Sequence, residues 1–214
     1  MVVHRRPTTR RSVARRSVPV DKLLFLRHRA KENMKFGVLF SSEGGFIHCW
    51  SLYGERHDMG MFYGPSKAGE SILAMTTDAT NQHFICGDTR GEIRVYNIEK
   101  YCCSITSPVH FESSPPPFVH SWQAHLASII YCEWIDYKGN GEFLLTGSTD
   151  HTTRLWTMNG EQIGIFGQRQ SWDVELLITT RQEKEEEQEE EDQVMREKSA
   201  RKVKEDDRGC CLWK

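Results

Sequence analysis

The run Phe143-Leu-Leu-Thr-Gly-Ser-Thr-Asp-His-Thr-Thr-Arg-Leu-Trp156 decides the fold. It reads as an apolar strand, a Gly/Ser step, a short polar turn and a second strand closing on an aromatic, which is the pattern of an antiparallel hairpin. The same order occurs twice upstream. The first copy is Phe36-Gly-Val-Leu-Phe-Ser-Ser-Glu-Gly-Gly-Phe-Ile-His-Cys-Trp50, and the second is His83-Phe-Ile-Cys-Gly-Asp-Thr-Arg-Gly-Glu-Ile-Arg-Val-Tyr96. The closing aromatics Trp50, Tyr96 and Trp156 are 46 and 60 residues apart. The first spacing suits a four-stranded repeat of about 40–45 residues. The extra length of the second falls at Ser113-Ser-Pro-Pro-Pro117. Proline lacks the N–H donor and fixes φ, so this stretch is an inserted loop rather than a central strand.

Each hairpin extends to four strands. Leu23–Leu26, Ile72–Thr76 and Ile129–Ile135 are apolar runs ahead of the three hairpins, and Met59–Tyr63, Phe118–Trp122 and Gln162–Phe166 follow them. Gly45, Gly91, Gly141 and Gly160 stand where the strand connections turn tightly. The expected fold class is all-β, with three consecutive four-stranded antiparallel sheets over about 21–64, 70–123 and 124–168.

On these residues the third unit resembles a WD repeat. Ala124-His125 stands at the family's Gly-His position, and Arg154-Leu155-Trp156 matches its closing strand. Asp150 lies six residues before Trp156 and Thr146 ten before. The resemblance implies that His125, Thr146, Asp150 and Trp156 form a hydrogen-bonded set within one blade, a structural tetrad and not a catalytic one. At the same offsets Trp50 is preceded by Gly44 and Phe40, and Tyr96 by Arg90 and Cys86. Units one and two are therefore expected to rest on packing alone. Shorter strings, Ser71–Met75, Gly87-Asp88, Ile98–Cys102, Ile163–Gln168 and Trp172, resemble the last blades of the large WD repeat-containing proteins 49 and 64. The likeness covers roughly residues 21–175. Propellers close with about four to eight blades, so three blades imply a partial, open propeller with exposed edges at both ends. The expectation is a short form or fragment of a larger propeller protein, or an arc that other chains complete by association through its open edges.

Composition frames this core. The chain has 214 residues, 38% hydrophobic and 27% charged, with a formal net charge of -2. That near-neutral total conceals a head, residues 1–20, with six Arg and no acid, and a tail, residues 181–214, with twelve acids and nine bases. The head reads as a disordered arm, with contact to nucleic-acid phosphates as a functional alternative. Residues 176–214 read as a charged, helical or disordered extension. Asp192/Arg196 and Glu197/Arg201 are favourable i,i+4 pairs, but no heptad seam runs through them. No run approaches the ~18–20 apolar residues of a membrane helix, and the charged head is not a secretory signal. Seven cysteines, an odd number without a C-x-x-C, point to reduced thiols in an intracellular, cytoplasmic setting. Cys211-Leu-Trp-Lys214 has prenylation spacing, but the final Lys does not fit that signal.

Chemical sites are read as absent. Asp136–Gly141 mimics the opening of a calcium loop, but Lys138 takes a ligand position and Gly147 stands where an acidic twelfth ligand belongs. His120, His125 and Cys132 do not give the converging ligands zinc requires. There is no phosphate loop, nucleophile elbow or Cys–His dyad. No cofactor, metal or catalytic residue is expected. The Trp-Asp-x-Arg string common in ubiquitin-ligase adaptors is missing: Trp50-Ser-Leu-Tyr53 and Trp156-Thr-Met-Asn159 stand instead. The expected function is a non-enzymatic scaffold for protein–protein interaction whose partners are other proteins or peptides, the alternative being a nucleic-acid-associated protein acting through the Arg-rich arm.

Overall fold

The computed structural model describes residues 19–53, 57–103, 111–137, 141–168 and Met195. Its strands are β1 (Lys22–Phe25), β2 (Leu39–Glu43), β3 (Phe46–Trp50), β4 (Asp58–Tyr63), β5 (Ile72–Thr77), β6 (His83–Asp88), β7 (Glu92–Asn97), β8 (Phe118–Gln123), β9 (Ile129–Asp136), β10 (Glu142–Ser148), β11 (Thr153–Thr157) and β12 (Gln162–Ile165). They form three separate four-stranded sheets, β1–β4, β5–β8 and β9–β12, each with its strands in sequence order. Every pairing within them is antiparallel. This is the architecture expected from the three hairpins, with β3, β7 and β11 ending at or next to Trp50, Tyr96 and Trp156. The arm (all but Pro19 and Val20), the tail (all but Met195), Trp172 and residues 138–140 of the calcium-loop mimic lie outside the described residues.

Strand alternation divides the second sheet between two cores. Phe84, Cys86 and Tyr96 face the first sheet and pack with Phe40, Ile47, Cys49 and Phe62. Ile85, Ile93 and Val95 face the third and pack with Ile129, Leu144 and Trp156. Consecutive side chains of a strand point to opposite faces, so a central blade must be apolar on both. Edge-to-face rings fill the first core: Phe40 and Phe84 have centroids 5.1 Å apart, and Phe62 and Tyr96 5.3 Å.

The turn between β6 and β7 abuts the segment leading into β9. Gly91 has φ 85°, and a Cβ there would stand 2.1 Å from the carbonyl oxygen of His125. Only glycine meets both demands.

Two features lie beyond the repeat pattern. A short helix, α1 (Arg27–Glu32), separates β1 from β2. It has no capping side chain of its own at the N-terminus. The His28 and Arg29 amides instead donate to Asn81 Oδ1 of the second sheet, at 2.8 and 3.4 Å, which satisfies donors that a helix start leaves open. The second feature is the proline-containing insert. It is more than a loop: Glu112 N donates to Met59 O at 2.9 Å and Glu112 O accepts from Met61 N at 3.0 Å. The insert of blade two thus doubles back and pairs with β4, the outer strand of blade one. An otherwise open sheet edge is covered there.

Candidate functional site

The third sheet carries a continuous hydrogen-bonded chain. Trp156 Nε1 donates to Thr146 Oγ1 at 2.8 Å, Thr146 Oγ1 lies 2.8 Å from His125 Nε2, and His125 Nδ1 lies 2.9 Å from Asp150 Oδ2. The structure brings together all four residues singled out in the third repeat. Two turn amides complete the carboxylate's shell, Thr152 N on Oδ1 at 3.0 Å and Leu126 N on Oδ2 at 3.3 Å, and the Thr152 hydroxyl donates to Oδ1 at 2.6 Å. His125 is buried. Burial lowers its pKa below the ordinary histidine range, against the opposing pull of Asp150. Burial acts to raise Asp150, but hydrogen bonds from Thr152 and His125 outweigh it and hold the carboxyl well below the usual range. The neutral imidazole therefore donates from Nδ1 to the carboxylate and accepts at Nε2 from the threonine hydroxyl. Every proton in the chain points one way, from indole to carboxylate.

The first blade does not rest on packing alone, contrary to the reading from fixed offsets. Trp50 Nε1 donates to Ser41 Oγ at 2.8 Å, and Ser41 Oγ donates to Glu43 Oε1 at 3.2 Å. Ser41 pairs across the ladder with His48 just as Thr146 pairs with Arg154. The two positions are equivalent. Between these equivalent pairs the β2–β3 hairpin is one residue shorter than the β10–β11 hairpin, so the hydroxyl sits nine residues before the tryptophan instead of ten. The His48 ring stacks on Trp50 with centroids 5.7 Å apart.

Blade two departs from packing alone in another direction. Tyr96 has no indole N–H; its hydroxyl donates to Gly64 O at 2.7 Å and accepts from Arg94 Nε at 3.0 Å. Arg94 also donates to Glu92 at 3.1 Å, and Glu92 accepts from Ser66 at 2.6 Å. These bonds run sideways to the segment that leaves blade one. Within the turn, Asp88 Oδ1 accepts from the amides of Arg90 and Glu92, both at 2.9 Å. Asp88 Oδ2 is buried and has no hydrogen-bond partner among the described residues. Burial raises the Asp88 pKa, and the two amides oppose it.

The turns and the blade-entry segments form one rim. Gly64 N donates to Gly45 O at 2.9 Å, Ala124 N to Gly91 O at 2.9 Å, Thr89 N to Ser71 O at 3.1 Å and Thr149 N to Ser128 O at 3.0 Å. Rigid ladders beneath this rim hold it in place, and its exposure is uneven: Ala124 and His125 are buried, while Thr149 and Leu126 are exposed. Leu126, beside Asp150, is 89% exposed. That is an unusual cost for an aliphatic side chain on a fixed loop, and nothing in the sequence pattern marked it. Outside the rim, the His120 ring stacks on Trp122, and its Nε2 lies 2.8 Å from Met158 O. Cys132 is a buried thiol whose pKa burial pushes up to about 12. Neither converges with His125. Among the described residues, no group of three His, Cys, Asp or Glu side chains is arranged to hold a metal.

Among solved structures the chain is similar to the WD40 repeats of RRP9, with a TM-score of 0.51 over 72% of this chain and 40% of that one, at 12% identity. It is similar also to the C-terminal WD40 domain of Sif2, with a TM-score of 0.50 over 72% of this chain and 38% of that one, at 12% identity. The three sheets have the fold of WD blades. By sequence the chain is 29% identical over 186 residues to the WD repeat-containing protein on Y chromosome of Anopheles gambiae, and 26% identical over 181 residues to the Drosophila yakuba protein of the same name. These matches take in 73% and 72% of this chain and 17% of each relative's length. No family model matches the chain.

Proposed function

We propose that the chain acts as a non-enzymatic scaffold for protein–protein interaction. In this reading it is an open arc of WD blades whose bare end faces are covered by further blades and whose loop rim docks other proteins or peptides inside the cell. The observation that carries it is a difference between equivalent faces. In blade three the face bearing Thr146 and Trp156 packs on blade two, where Trp122 meets Trp156 with centroids 6.2 Å apart. In blade one the equivalent face, with Ser41 and Trp50, has no blade against it among the described residues, and Leu23 and Phe25 opposite Ser41 and Leu39 are 58% and 42% exposed. Bare apolar sheet faces of this kind mark interaction surfaces. Burying each such side chain is worth about 1.5–3 kcal/mol.

The test uses the full chain, alone and co-expressed with the segments that flank the matched stretch in the Anopheles gambiae relative. Alone it is expected to self-associate in sedimentation and to bind a hydrophobic dye. With the flanking segments it is expected to form a defined complex that no longer binds the dye. A chain that is monomeric, dye-silent and cooperative in unfolding by itself overturns the proposal.

A further inference from the structure

Cys49 lies in β3 of blade one, and Cys102 lies in the segment following β7 of blade two. Both are buried and neither is in a disulfide. Cys102 lies near enough to act on the Cys49 thiol. A methyl group placed on Gly37 would stand 2.1 Å from Cys49 Sγ and 2.9 Å from Cys102 Cβ, and one on Gly60 would stand 2.9 Å from Cys102 Sγ. Two glycines on blade one therefore open a single small space that both thiols fill. Arg29 is buried beside it and donates to Gly37 O at 3.2 Å, to Tyr101 O at 2.9 Å and to Ile98 O. Burial raises the pKa of both Cys49 and Cys103, and the Arg29 charge opposes that rise.

We propose that Cys49 and Cys102 are the two halves of a reversible disulfide, formed at the expense of a small disulfide such as oxidised glutathione, which staples blade one to blade two. Burial, with Cys102 adding to it, holds the Cys49 thiol well above its ordinary pKa. The first attack is assigned by access to Cys102, which sits on a loop and keeps 8% exposure where Cys49 has none. The Cys102 thiolate attacks one sulfur of oxidised glutathione and expels a glutathione thiolate. Cys49 then gives up its proton, attacks the Cys102 sulfur of the mixed disulfide and expels the second glutathione. Two protein thiols are oxidised, one glutathione disulfide is reduced to two thiols, and the two protons pass to the departing glutathiones. The bond closes a loop that runs from the end of β3 through β4 to the segment after β7, so the oxidised chain resists unfolding more than the reduced one.

The experiment equilibrates the full native chain with oxidised and reduced glutathione at stepped ratios, traps free thiols by alkylation and maps the linked peptides. Expected are the loss of two of the seven thiols, a single Cys49–Cys102 linkage within one chain, its reversal by reduced glutathione, and a higher urea midpoint for the oxidised form. A parallel oxidation in urea gives the unfolded reference. If the Cys49–Cys102 peptide is no more abundant from native than from unfolded protein, the proposal is overturned. It is equally overturned if both thiols stay alkylatable, or if Cys102 stops at the glutathione adduct. The mapping needs no variant, so it does not depend on whether Cys49→Ser folds.

Discussion

The hairpin turns of blades two and three share a backbone and differ in chemistry. Asp88 and Ser148 occupy the same place, each accepting the amide two residues on, from Arg90 at 2.9 Å and from Asp150 at 3.1 Å. Gly91 and His151 follow, with φ of 85° and 65°. In blade three the side chains then tie downward, from Asp150 through His125 and Thr146 to Trp156, and the blade is anchored on its own indole. In blade two they tie sideways, from Tyr96 and Glu92 to Gly64 and Ser66, and the blade is anchored on its neighbour. One fold thus uses the same turn for internal cohesion in one blade and for cohesion between blades in the next.

The largest expected effect breaks the shared turn itself. Gly91→Ala puts a Cβ 2.1 Å from a backbone carbonyl, at a φ that alanine resists. It is expected to cost about 3 kcal/mol or more, read as a drop in urea midpoint. His151→Ala, at the matching place, has no glycine to lose and is expected to be close to neutral. Asp150→Ala comes next. It strands the His125 donor and two turn amides, at a cost of ~1–3 kcal/mol. Arg90→Ala removes only a half-exposed side chain 3.7 Å from Glu70, with an expected change within ~0.5 kcal/mol. Equal losses from Asp150→Ala and Arg90→Ala would erase the distinction between the blades.

Ser41→Ala sharpens the comparison in blade one. Losing the acceptor of the Trp50 indole should cost ~1 kcal/mol, and Ser41→Thr should restore most of it. No loss for Ser41→Ala would return blade one to packing alone.

The two aspartates should also respond oppositely to pH. Asp150 and His125 both have folded pKa values below their ordinary ones. Their contribution is complete above the ordinary histidine pKa of ~6.5 and shrinks as pH falls. Asp88 has its folded pKa raised. Its contribution is complete below the ordinary aspartate pKa of ~3.9 and is lost as pH rises through the higher folded value. Asp88→Asn keeps an oxygen for the two amides and removes the buried charge. Its urea midpoint, relative to the native chain, should therefore be higher at pH 7 than at pH 4. A constant difference across that range would mean that Asp88 does not titrate with folding.

The sheets were legible in the sequence because strand alternation and a closing aromatic repeat three times, and a period survives insertion. The blade-three residues were legible because one turn of ordinary length put them at their usual offsets. Ser41 was not, since counting back a fixed ten residues from Trp50 lands on Phe40 when the hairpin between the equivalent pairs is one residue shorter. Helix α1 left no local signal: Arg-His-Arg-Ala-Lys-Glu has no apolar stripe, and its amides are capped by Asn81, some fifty residues away. The pairing of Glu112 with β4 was hidden for a related reason. Proline excludes the insert from a central strand, but nothing in its composition says which edge it will reach. The lateral ties of Tyr96 were invisible because they depend on where blade one ends in space.

The relay in blade three is tested most directly by a double-mutant cycle between Asp150→Ala and Thr146→Val, measured as urea midpoints at pH 7.5. The two side chains do not touch; His125 stands between them. If the chain of protons from Trp156 to Asp150 acts as a unit, the double variant should lose about 1 kcal/mol less than the two single losses combined. Strict additivity would contradict it, leaving the hydrogen bonds as separate local contacts.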